Sequence, residues 1–491
     1  MMETSCSTDS PPKKTAVLSF ISFPPRNLLP HYTQFPASKR QKAAIAERHS
    51  QGVCYHTHEG GSGMKKALVL AGGGTRGSYQ NGAVRALRRI GQDDWNLVTG
   101  TSIGALNAAL IVQKDYKAMD TMWHNLKQEQ IINGSFSVDM DLQDMINDRA
   151  QIMNFAKDFL KDKGADISPL IAYIRKLYQP EKFFASHIDF GCVVCRHRTK
   201  EPVYVNKEMM KEDGVDWLIS TASAYPAFPV HKFKGKEYID GGYFDNLPID
   251  EALQMGADEV IALDLNSEPQ HPCYMDRSHI TYIFPKVETG SFLSFDPKVI
   301  GQLEALGYYD TMKAFHVFDG VKYTFELTKL PDWFARFQRD LLILEAKIKL
   351  AGNLNERFRS SQVVTDRLLA QQHARVLTDK AMFYGFLDNL MDFAEADPTR
   401  VYTYKEGRDL ILAKFADAAK EDYPSAPSLA PDKLLAYMKS LNMAGVTAKM
   451  VHTILYPDQE FLSENMKLTV YPFEYALALF VKYLMLELKQ E

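Results

Sequence analysis

One stretch, residues 65–104, constrains the fold of this chain more than any other part of the sequence. A short apolar run, Ala67–Ala71, ends in consecutive glycines, and a second, Trp95–Val98, runs into the turn Gly100–Gly104. A helix-like segment follows each turn. Two strand–turn–helix units in succession are typical of a parallel sheet, whose functional groups lie at the carboxyl ends of its strands. The stretch therefore predicts an α/β fold with a site at that edge.

The same alternation of short strands and helices continues to about residue 320. It favours a mostly parallel, buried central sheet sandwiched by helices, in three α/β/α layers. An insert from about residue 131 to 177 is predicted to be mostly helical and to cap the carboxyl edge of the sheet. The predicted strands are Ala67–Ala71, Trp95–Val98, Phe190–Cys195, Val203–Val205, Glu237–Ile239 and Glu259–Leu265. The predicted helices are Gly77–Arg89, Ile103–Gln113, Tyr116–Gln128, Leu170–Leu177, Trp217–Ala222 and Asp250–Met255.

Changes in sequence texture divide the chain into three parts. Residues 1–63 mix Ser, Thr, Pro, His and Gly without a sustained period, and they predict a poorly ordered amino-terminal extension. Residues 64–320 carry the α/β pattern. From residue 325 to 491 strand signals disappear, and segments with a 3.6-residue period predict a helical carboxyl-terminal domain. Those segments include Trp333–Ala351, Gln362–Leu387 and Leu434–Ser440.

The last predicted helix, Phe473–Leu488, is apolar on nearly every side, and two interpretations are open. One is a helix that docks on a membrane. The other, which we favour, is a helix buried inside an α-helical domain. No run of 18 or more apolar residues occurs in the sequence, so no transmembrane helix is predicted.

Charge and cysteine usage restrict the classes of partner and compartment. The formal net charge of -4 gives no electrostatic footprint for nucleic acid, so no nucleic-acid partner is expected. Five cysteines do not make a disulfide framework, which favours a reducing, cytoplasmic location. Cys192 and Cys195 lie three residues apart on a predicted strand, where their side chains point to opposite faces. We therefore expect them to pack in the core rather than bind metal.

The first glycine turn matches the pattern G-x-G-x-x-G between a strand and a helix, which is typical of dinucleotide sites. Such a site also needs an acidic residue at the end of the second strand. That strand ends in Thr99–Ser102, without an acid, so no cofactor is expected. An oxyanion hole is the alternative, because consecutive glycines and a following helix can direct N–H groups at developing negative charge. The turn consists of Gly72, Gly73, Gly74, Thr75, Arg76 and Gly77.

The second turn is a G-x-S-x-G pattern centred on Ser102. This pattern places a serine on a tight strand-to-helix turn, where small flanking residues relieve crowding and the helix dipole favours a nucleophilic oxygen. The Ile103 N–H could then donate to an oxyanion. The alternative is that Ser102 simply caps the helix. The turn alone does not distinguish these two interpretations. Its other members are Gly100, Thr101, Ile103 and Gly104.

A third motif, Asp240-Gly241-Gly242, ends another predicted strand. Two glycines directly after an aspartate leave its carboxylate accessible in a crowded cleft, although Asp-Gly is also common in ordinary turns. A glycine loop, a serine turn and Asp-Gly-Gly rarely occur together by chance in this order, each at a predicted strand end. The combination favours a catalytic interpretation of Ser102.

With these three motifs, residues 65–320 resemble the patatin-like phospholipase family. The resemblance is supported by Ala222-Ser223-Ala224 leading to Pro226 and Pro229, and by Gly307-Tyr308. It implies hydrolysis of lipid acyl esters by a Ser–Asp dyad, without histidine, metal or cofactor, on a substrate at a membrane surface. Ser102 would be the nucleophile and Asp240 the base. The resemblance assigns Gly73, Gly74 and their neighbours to the oxyanion loop, with Arg76 in contact with substrate or in a structural ion pair.

Two rival hypotheses stay open on the sequence alone. One is an α/β-hydrolase triad of Ser, Asp and His, although none of the later histidines lies in a distinctive loop. The other is a binding module for lipid or protein that keeps the fold without catalysis. The histidines after Asp240 are His271, His279, His316, His373 and His452.

Overall fold

The structure is a computed structural model that describes residues 64–133, 166–351, 363–418, 443–455 and 463–490. The predicted extension at residues 1–63 and the predicted helix Leu434–Ser440 lie outside these ranges. So does most of the predicted helical insert, although its last segment is described as a helix at Ser168–Leu177. The division into domains at residues 64–320 and 325–491 remains a prediction.

The described residues contain an eight-stranded sheet. Five strands run parallel in the order β3-β2-β1-β7-β8, and β4, β5 and β6 are antiparallel additions on the β3 side. The mostly parallel central sheet with flanking helices is thereby confirmed. The strands are β1 Lys66–Leu70, β2 Leu97–Thr101, β3 Asp189–Arg196, β4 Pro202–Asn206, β5 His231–Phe233, β6 Lys236–Asp240, β7 Glu259–Leu263 and β8 Ile280–Ile283.

The helices of this part follow the predicted alternation, with differences that have local causes. They are α1 Ser78–Arg89, α2 Ile103–Val112, α3 Tyr116–His124, α4 Ser168–Leu177, α5 Pro180–Ala185, α6 Met210–Thr221, α7 Ile249–Gln254 and α8 Pro297–Ala314. Helices α5 and α8 and strands β5 and β8 were not predicted. Two glycines, Gly301 and Gly307, weaken the helical signal of α8. Strands β5 and β8 are only three and four residues long, too short to show a period.

Helices α1 and α8 cross in direct backbone contact through a glycine on each. A Cβ added at Gly82 would lie 1.9 Å from the Glu304 carbonyl oxygen, and one added at Gly307 would lie 1.9 Å from that of Tyr79. Neither carbonyl can move without displacing its own helix. The contact fixes α1, which begins at the glycine loop, and gives Gly307 a packing role.

Replacement of Gly307 by alanine should lower the free energy of unfolding by about 1–3 kcal/mol, because the added methyl group forces the two helices apart. Urea denaturation and the melting temperature would measure the change. Gln302→Ala, an exposed position on the same helix, is the matched control and should leave both nearly unchanged. A Gly307→Ala variant as stable as the wild type would contradict the packing role.

Residues after 320 form a second hydrophobic core, separate from the one around the sheet. Its described helices are α9 Phe334–Ala351, α10 Val363–Gln372, α11 Asp379–Phe393, α12 Tyr404–Ala418, α13 Met443–Leu455, α14 Glu464–Thr469 and α15 Pro472–Leu488. The prediction of no strands here was wrong, since β9 Thr324–Phe325 pairs in parallel with β10 Val401–Tyr402.

The single helical segment predicted at Gln362–Leu387 is two helices, α10 and α11. His373 follows α10 with φ 51°, which leaves the helical region, and the Thr378 side chain accepts the Ala381 N–H to start α11. The last helix, α15, is buried, with Phe480 and Leu484 fully inside the second core. Burial is therefore the correct interpretation of this apolar helix. Across the described ranges, no helix is both long and apolar enough to span a membrane.

The two cysteines of the C-x-x-C pair lie on β3 and are completely buried. Burial raises the pKa of the Cys195 thiol to about 12, and it raises that of Cys192 as well. Neither thiol is therefore reactive near neutral pH. The prediction that they pack in the core is confirmed.

Candidate active site

The serine turn and the Asp-Gly-Gly motif meet because two strand ends face each other beside β3. Strand β3 pairs with β2 at residues 189–193, with β4 at 191–195 and with β6 at 194–196. Since β4 overlaps both of the others, β2 and β6 occupy the same side of β3, end to end. The last residue of β2, Thr101, is opposite Val193, and the last residue of β6, Asp240, is opposite Val194. Ser102 therefore emerges beside Asp240, although the two strands run in opposite directions.

Ser102 occupies a strained backbone conformation, with φ 56° and ψ -127°. A non-glycine residue in this region indicates that the surrounding structure imposes the turn. The Ser102 N–H donates to Thr221 Oγ1 at 2.9 Å, and that hydroxyl donates to the Val193 carbonyl at 2.6 Å. The Ser102 side chain makes no capping hydrogen bond to α2, so the helix-cap interpretation is wrong.

The glycines on either side of Ser102 are required by close packing. A Cβ at Gly100 would lie 2.6 Å from the backbone of Gly104, and one at Gly104 would lie 2.3 Å from the Leu70 carbonyl oxygen. Ile103 is the first residue of α2, and the first N–H groups of a helix have no partner inside it. The turn thus holds β1, β2 and α2 in backbone contact and leaves the Ile103 N–H beside the serine.

Asp240 is the buried acid of the site, with a side chain only 1% exposed. Its Oδ1 accepts the Gly242 N–H at 2.8 Å, and its own N–H donates to the Ser223 carbonyl at 2.9 Å. Burial raises the pKa of Asp240 to about 7, although the Ser102 hydroxyl and the Gly242 N–H lower it in part. Within the described residues, Asp240 Oδ2 has no partner with full hydrogen-bond geometry. The Ser102 hydroxyl is the side-chain hydrogen-bonding group that acts on this carboxyl.

The Asp-Gly-Gly glycines fill positions that no side chain could occupy easily. A Cβ at Gly241 would lie 2.1 Å from the Val193 carbonyl oxygen and 3.0 Å from Thr101 Cγ2. A Cβ at Gly242 would lie 2.8 Å from Asn246 Oδ1. The close packing where the ends of β2 and β6 meet therefore requires both glycines of the motif.

The glycine loop between β1 and α1 approaches Ser102 closely. A Cβ at Gly72 would lie 3.0 Å from the Ser102 Cβ, and Gly74 has φ +57° with the Phe292 carbonyl directly against it. The N–H groups of Gly72 and Thr75 are used structurally, since they donate to the carbonyls of Asn246 and Phe292. Across the described ranges, the amides of Gly73 and Gly74 have no hydrogen-bond partner. These two are the loop's available donors.

The other loop residues have structural surroundings. Arg76 is buried and donates from Nη1 to Asn266 Oδ1 at 2.9 Å, so its described partner is an amide of the same protein. Gly77 packs against Ile103 and Trp123. Its carbonyl accepts a hydrogen bond from Asn107 Nδ2, which also donates to Gln80 Oε1. Gln80 Nε2 donates in turn to the Ala71 carbonyl. This buried network holds the glycine loop against α2.

The sequence motifs do not reveal the role of Asn246, which joins the glycine loop to the Asp-Gly-Gly turn. The Asn246 side-chain Nδ2 donates to the Gly72 carbonyl and to Gln270 Oε1, both at 3.0 Å. Its backbone carbonyl accepts the Gly72 N–H, also at 3.0 Å. Gln270 is held in turn by the buried Asp264. The only sequence signal was its place in Asn246-Leu247-Pro248, directly after the motif and before α7.

Two of the histidines that follow Asp240 are paired with acids outside the three motifs. His271 Nε2 lies 3.7 Å from Asp245, and His373 Nε2 lies 3.6 Å from Glu268. Burial lowers the pKa of His271, but Asp245 more than offsets this, so the pKa is raised overall. No histidine is among the groups that set the pKa of Asp240. In the part of the chain that the structure describes, no group of three His, Cys, Asp or Glu side chains could hold a metal ion.

All three motifs fall inside a match to a known family profile, the patatin-like phospholipases, which extends from residue 68 to 253. Residues 68–253 are therefore similar to the patatin-like phospholipases. The match ends within α7, so β7, β8, α8 and the helical region lie outside it. The resemblance seen in the sequence is thereby confirmed.

Curated relatives match the same part of the chain. Lysophospholipase NTE1 of Scheffersomyces stipitis is 30% identical over 203 residues, which is 41% of this chain and 12% of the relative. Patatin-like phospholipase domain-containing protein 7 of Mus musculus is 29% identical over 217 residues, 43% of this chain and 14% of the relative. The chain therefore spans only a small part of the length of these relatives.

Among solved structures, VipD from Legionella pneumophila is 13% identical with a TM-score of 0.35, over 85% of this chain and 92% of VipD. The family match covers the glycine loop, the serine turn and Asp-Gly-Gly, and it does not extend to the helical region.

Proposed function

We propose that this protein hydrolyses acyl ester bonds of lipids, with Ser102 as nucleophile and Asp240 as general base. The observation that supports this most is the end-to-end meeting of β2 and β6, which brings a strained serine next to a buried aspartate. The domain match and the lysophospholipases among the relatives favour lipid esters as the substrate class.

In the first step, the ionised Asp240 carboxylate accepts the proton of Ser102 as its Oγ attacks the acyl carbonyl carbon. A base works best when its pKa lies near the working pH, and the pKa of about 7 meets that condition. The free N–H groups of Gly73 and Gly74, with that of Ile103, would stabilise the oxyanion. Donors of this kind each contribute about 3–4 kcal/mol where they have been measured.

Collapse of the tetrahedral intermediate breaks the ester bond, and the leaving alcohol takes the proton from Asp240. An acyl-enzyme remains on Ser102. Water then attacks its carbonyl, with Asp240 accepting one proton from the water and returning it to the Ser102 oxygen. The fatty acid leaves, and each proton and bond is accounted for without a histidine.

A hydrolysis screen tests the proposal directly. The full chain would be incubated with a soluble short-chain ester, a lysophospholipid, a diacylphospholipid and a triacylglycerol, and released fatty acid would be measured. We expect hydrolysis of the soluble ester and of at least one phospholipid. Hydrolysis of none of the four would favour the binding-module alternative.

Asn246 is expected to act as a positioning residue in this reaction, because it fixes the distance between the glycine loop and the Asp-Gly-Gly turn. Asn246→Ala should lower kcat about 10–100-fold, since small displacements of catalytic groups carry penalties of this size. The KM for the soluble ester should change little. Exposed Asn125→Ala is the matched control. A wild-type kcat in Asn246→Ala would show that Asn246 does not position the catalytic groups.

A further inference from the structure

A cavity of about 550 Å³ lies between the loops that follow the sheet and the helical region. Phe284 and Lys286 line it from the segment after β8, and Glu268 lines it from the loop after β7. Lys322 and His373 line it from the second part of the chain. The cavity is distinct from the serine site, and none of the proposed catalytic residues lines it.

Among the described residues that line this cavity, Lys286 is a cation without an ion-pair partner. Its Nζ lies 3.0 Å from the centre of the Phe284 ring, and the groups that act on it include no hydrogen-bond partner among the described residues. The ring face attracts an ammonium group but carries no net negative charge. By contrast, Lys322 Nζ is paired with Asp392 at 2.6 Å, and His373 lies 3.6 Å from Glu268.

The two acids whose charge acts on Lys286 are already engaged by other donors. Asp310 is paired with Lys313 at 2.9 Å and accepts the Tyr79 hydroxyl at 2.9 Å. Asp388 accepts the backbone N–H groups of Lys322 and Tyr323, at 2.8 and 3.1 Å. These acids act on Lys286 only at a distance.

Lys286 is half-buried, and its surroundings act on its charge. Loss of hydration lowers the pKa of the Lys286 amine to about 7, against the raising effect of Asp310 and Asp388 and with the lowering effect of Lys313. An ammonium group that loses part of its hydration without gaining a counter-ion is destabilised in this way. A bound anion would restore the missing charge. The cavity is also larger than a bare phosphate needs, so it has room for an attached group.

We propose that this cavity binds a small phosphate-bearing molecule, with Lys286 as the cation that matches its charge. Lysine binds phosphate as a point charge and does not need the paired geometry that arginine gives. Glu268 and Glu288 also line the cavity and oppose an anion, but both are exposed, and the Glu268 side chain is 85% exposed and therefore well screened.

Binding at this place would connect the two parts of the chain. The loop that follows β7 also carries Asn266, the partner of Arg76, and the segment after Lys286 carries Phe292, whose carbonyl accepts from Thr75. A ligand held between this loop and His373 would thus stabilise the segments on which the glycine loop rests. The proposal does not depend on ester hydrolysis, because its test measures occupancy and stability.

Competitive labelling of the full chain with acetic anhydride tests occupancy. The acetylation rate at Lys286 would be measured by mass spectrometry at pH 7 with increasing inorganic phosphate or glycerol 3-phosphate, at constant ionic strength kept with sodium chloride. We expect a saturable decrease of at least five-fold at Lys286 and none at the exposed Lys232. Phosphatidic acid vesicles, compared with phosphatidylcholine vesicles, form a second arm that distinguishes a lipid head group from a free phosphate. Absence of protection by all of these probes overturns the proposal.

A variant series provides the second readout. Saturating glycerol 3-phosphate should raise the melting temperature of the wild type and of Lys286→Arg, which keeps the charge, but not that of Lys286→Met. Lys232→Met is the matched control and should respond like the wild type. An equal rise in Lys286→Met would show that the ligand binds elsewhere and would overturn the proposal, even where labelling is reduced.

Discussion

Replacing Ser102 with alanine is expected to lower kcat for a soluble ester on the order of 10⁴-fold or more, as removal of a catalytic nucleophile does in serine hydrolases. The reason is that the acyl-enzyme can no longer form, while the oxyanion donors and the base stay in place. Because the Ser102 side chain caps no helix, the melting temperature of the variant should remain close to that of the wild type.

A fluorophosphonate probe, which reacts with activated serines, measures the same residue independently of turnover. The wild type should be labelled at Ser102, and Ser102→Ala should not be labelled. Ser168, an exposed serine at the start of α4, gives the matched control Ser168→Ala, which should keep both labelling and activity. Labelling of Ser102→Ala at the wild-type rate would mean that another residue is the nucleophile.

The parts of the site that sequence could predict are those set by local backbone demands. A glycine is needed at Gly74 because φ is +57° there, and at Gly104 because the Leu70 carbonyl lies too close for a side chain. Such demands fix the identity of residues that are neighbours in the sequence, so they can be predicted from it. The alternation of strands and helices could be predicted as well, because it also depends on neighbouring residues.

The parts that sequence could not predict depend on contacts between distant segments. That Ser102 and Asp240 meet follows from the antiparallel pairing of β6 with β3, and no local pattern specifies that pairing. Asn246 contacts Gly72 across 174 residues, so its role appears only in the folded chain. Helix α8 was not predicted because Gly307, which allows it to pack closely on α1, has a low helical propensity.

Replacing Asp240 with asparagine is expected to lower kcat on the order of 10²–10⁴-fold, the range that general bases contribute. Asparagine keeps an acceptor for the Gly242 N–H but cannot take the serine proton. In the wild type, kcat/KM should rise with pH through about 7, as Asp240 loses its proton, and then level off. A rise with its midpoint near pH 4 would contradict the assignment of Asp240 as the base. So would a His271→Gln variant with a loss as large as that of Asp240→Asn, since a histidine triad would then be favoured.

Asp240→Asn should raise the stability of the protein although it lowers kcat. This difference separates loss of the catalytic charge from damage to the fold. The pKa of Asp240 is about 7 in the folded protein and about 3.9 in an unfolded chain. Between these values the unfolded chain has released a proton that the folded protein retains, so this group makes the wild type less stable as the pH rises. Above pH 7 the penalty is complete, at roughly 4 kcal/mol at most. Asp240→Asn should therefore gain stability over the wild type between pH 5 and pH 8, measured by urea denaturation.

Glu251 gives the matched control for that experiment, because it is also a buried acid beside the sheet. Burial raises its pKa to about 8, and its Oε2 has no hydrogen-bond partner among the described residues. Glu251→Gln should gain stability at high pH for the same reason as Asp240→Asn, but it should hydrolyse esters at the wild-type rate. If both variants lost activity equally, the loss in Asp240→Asn would reflect a disturbed sheet rather than a missing base. A loss confined to Asp240→Asn, in a protein more stable than the wild type at pH 8, would identify the carboxylate itself as the proton acceptor.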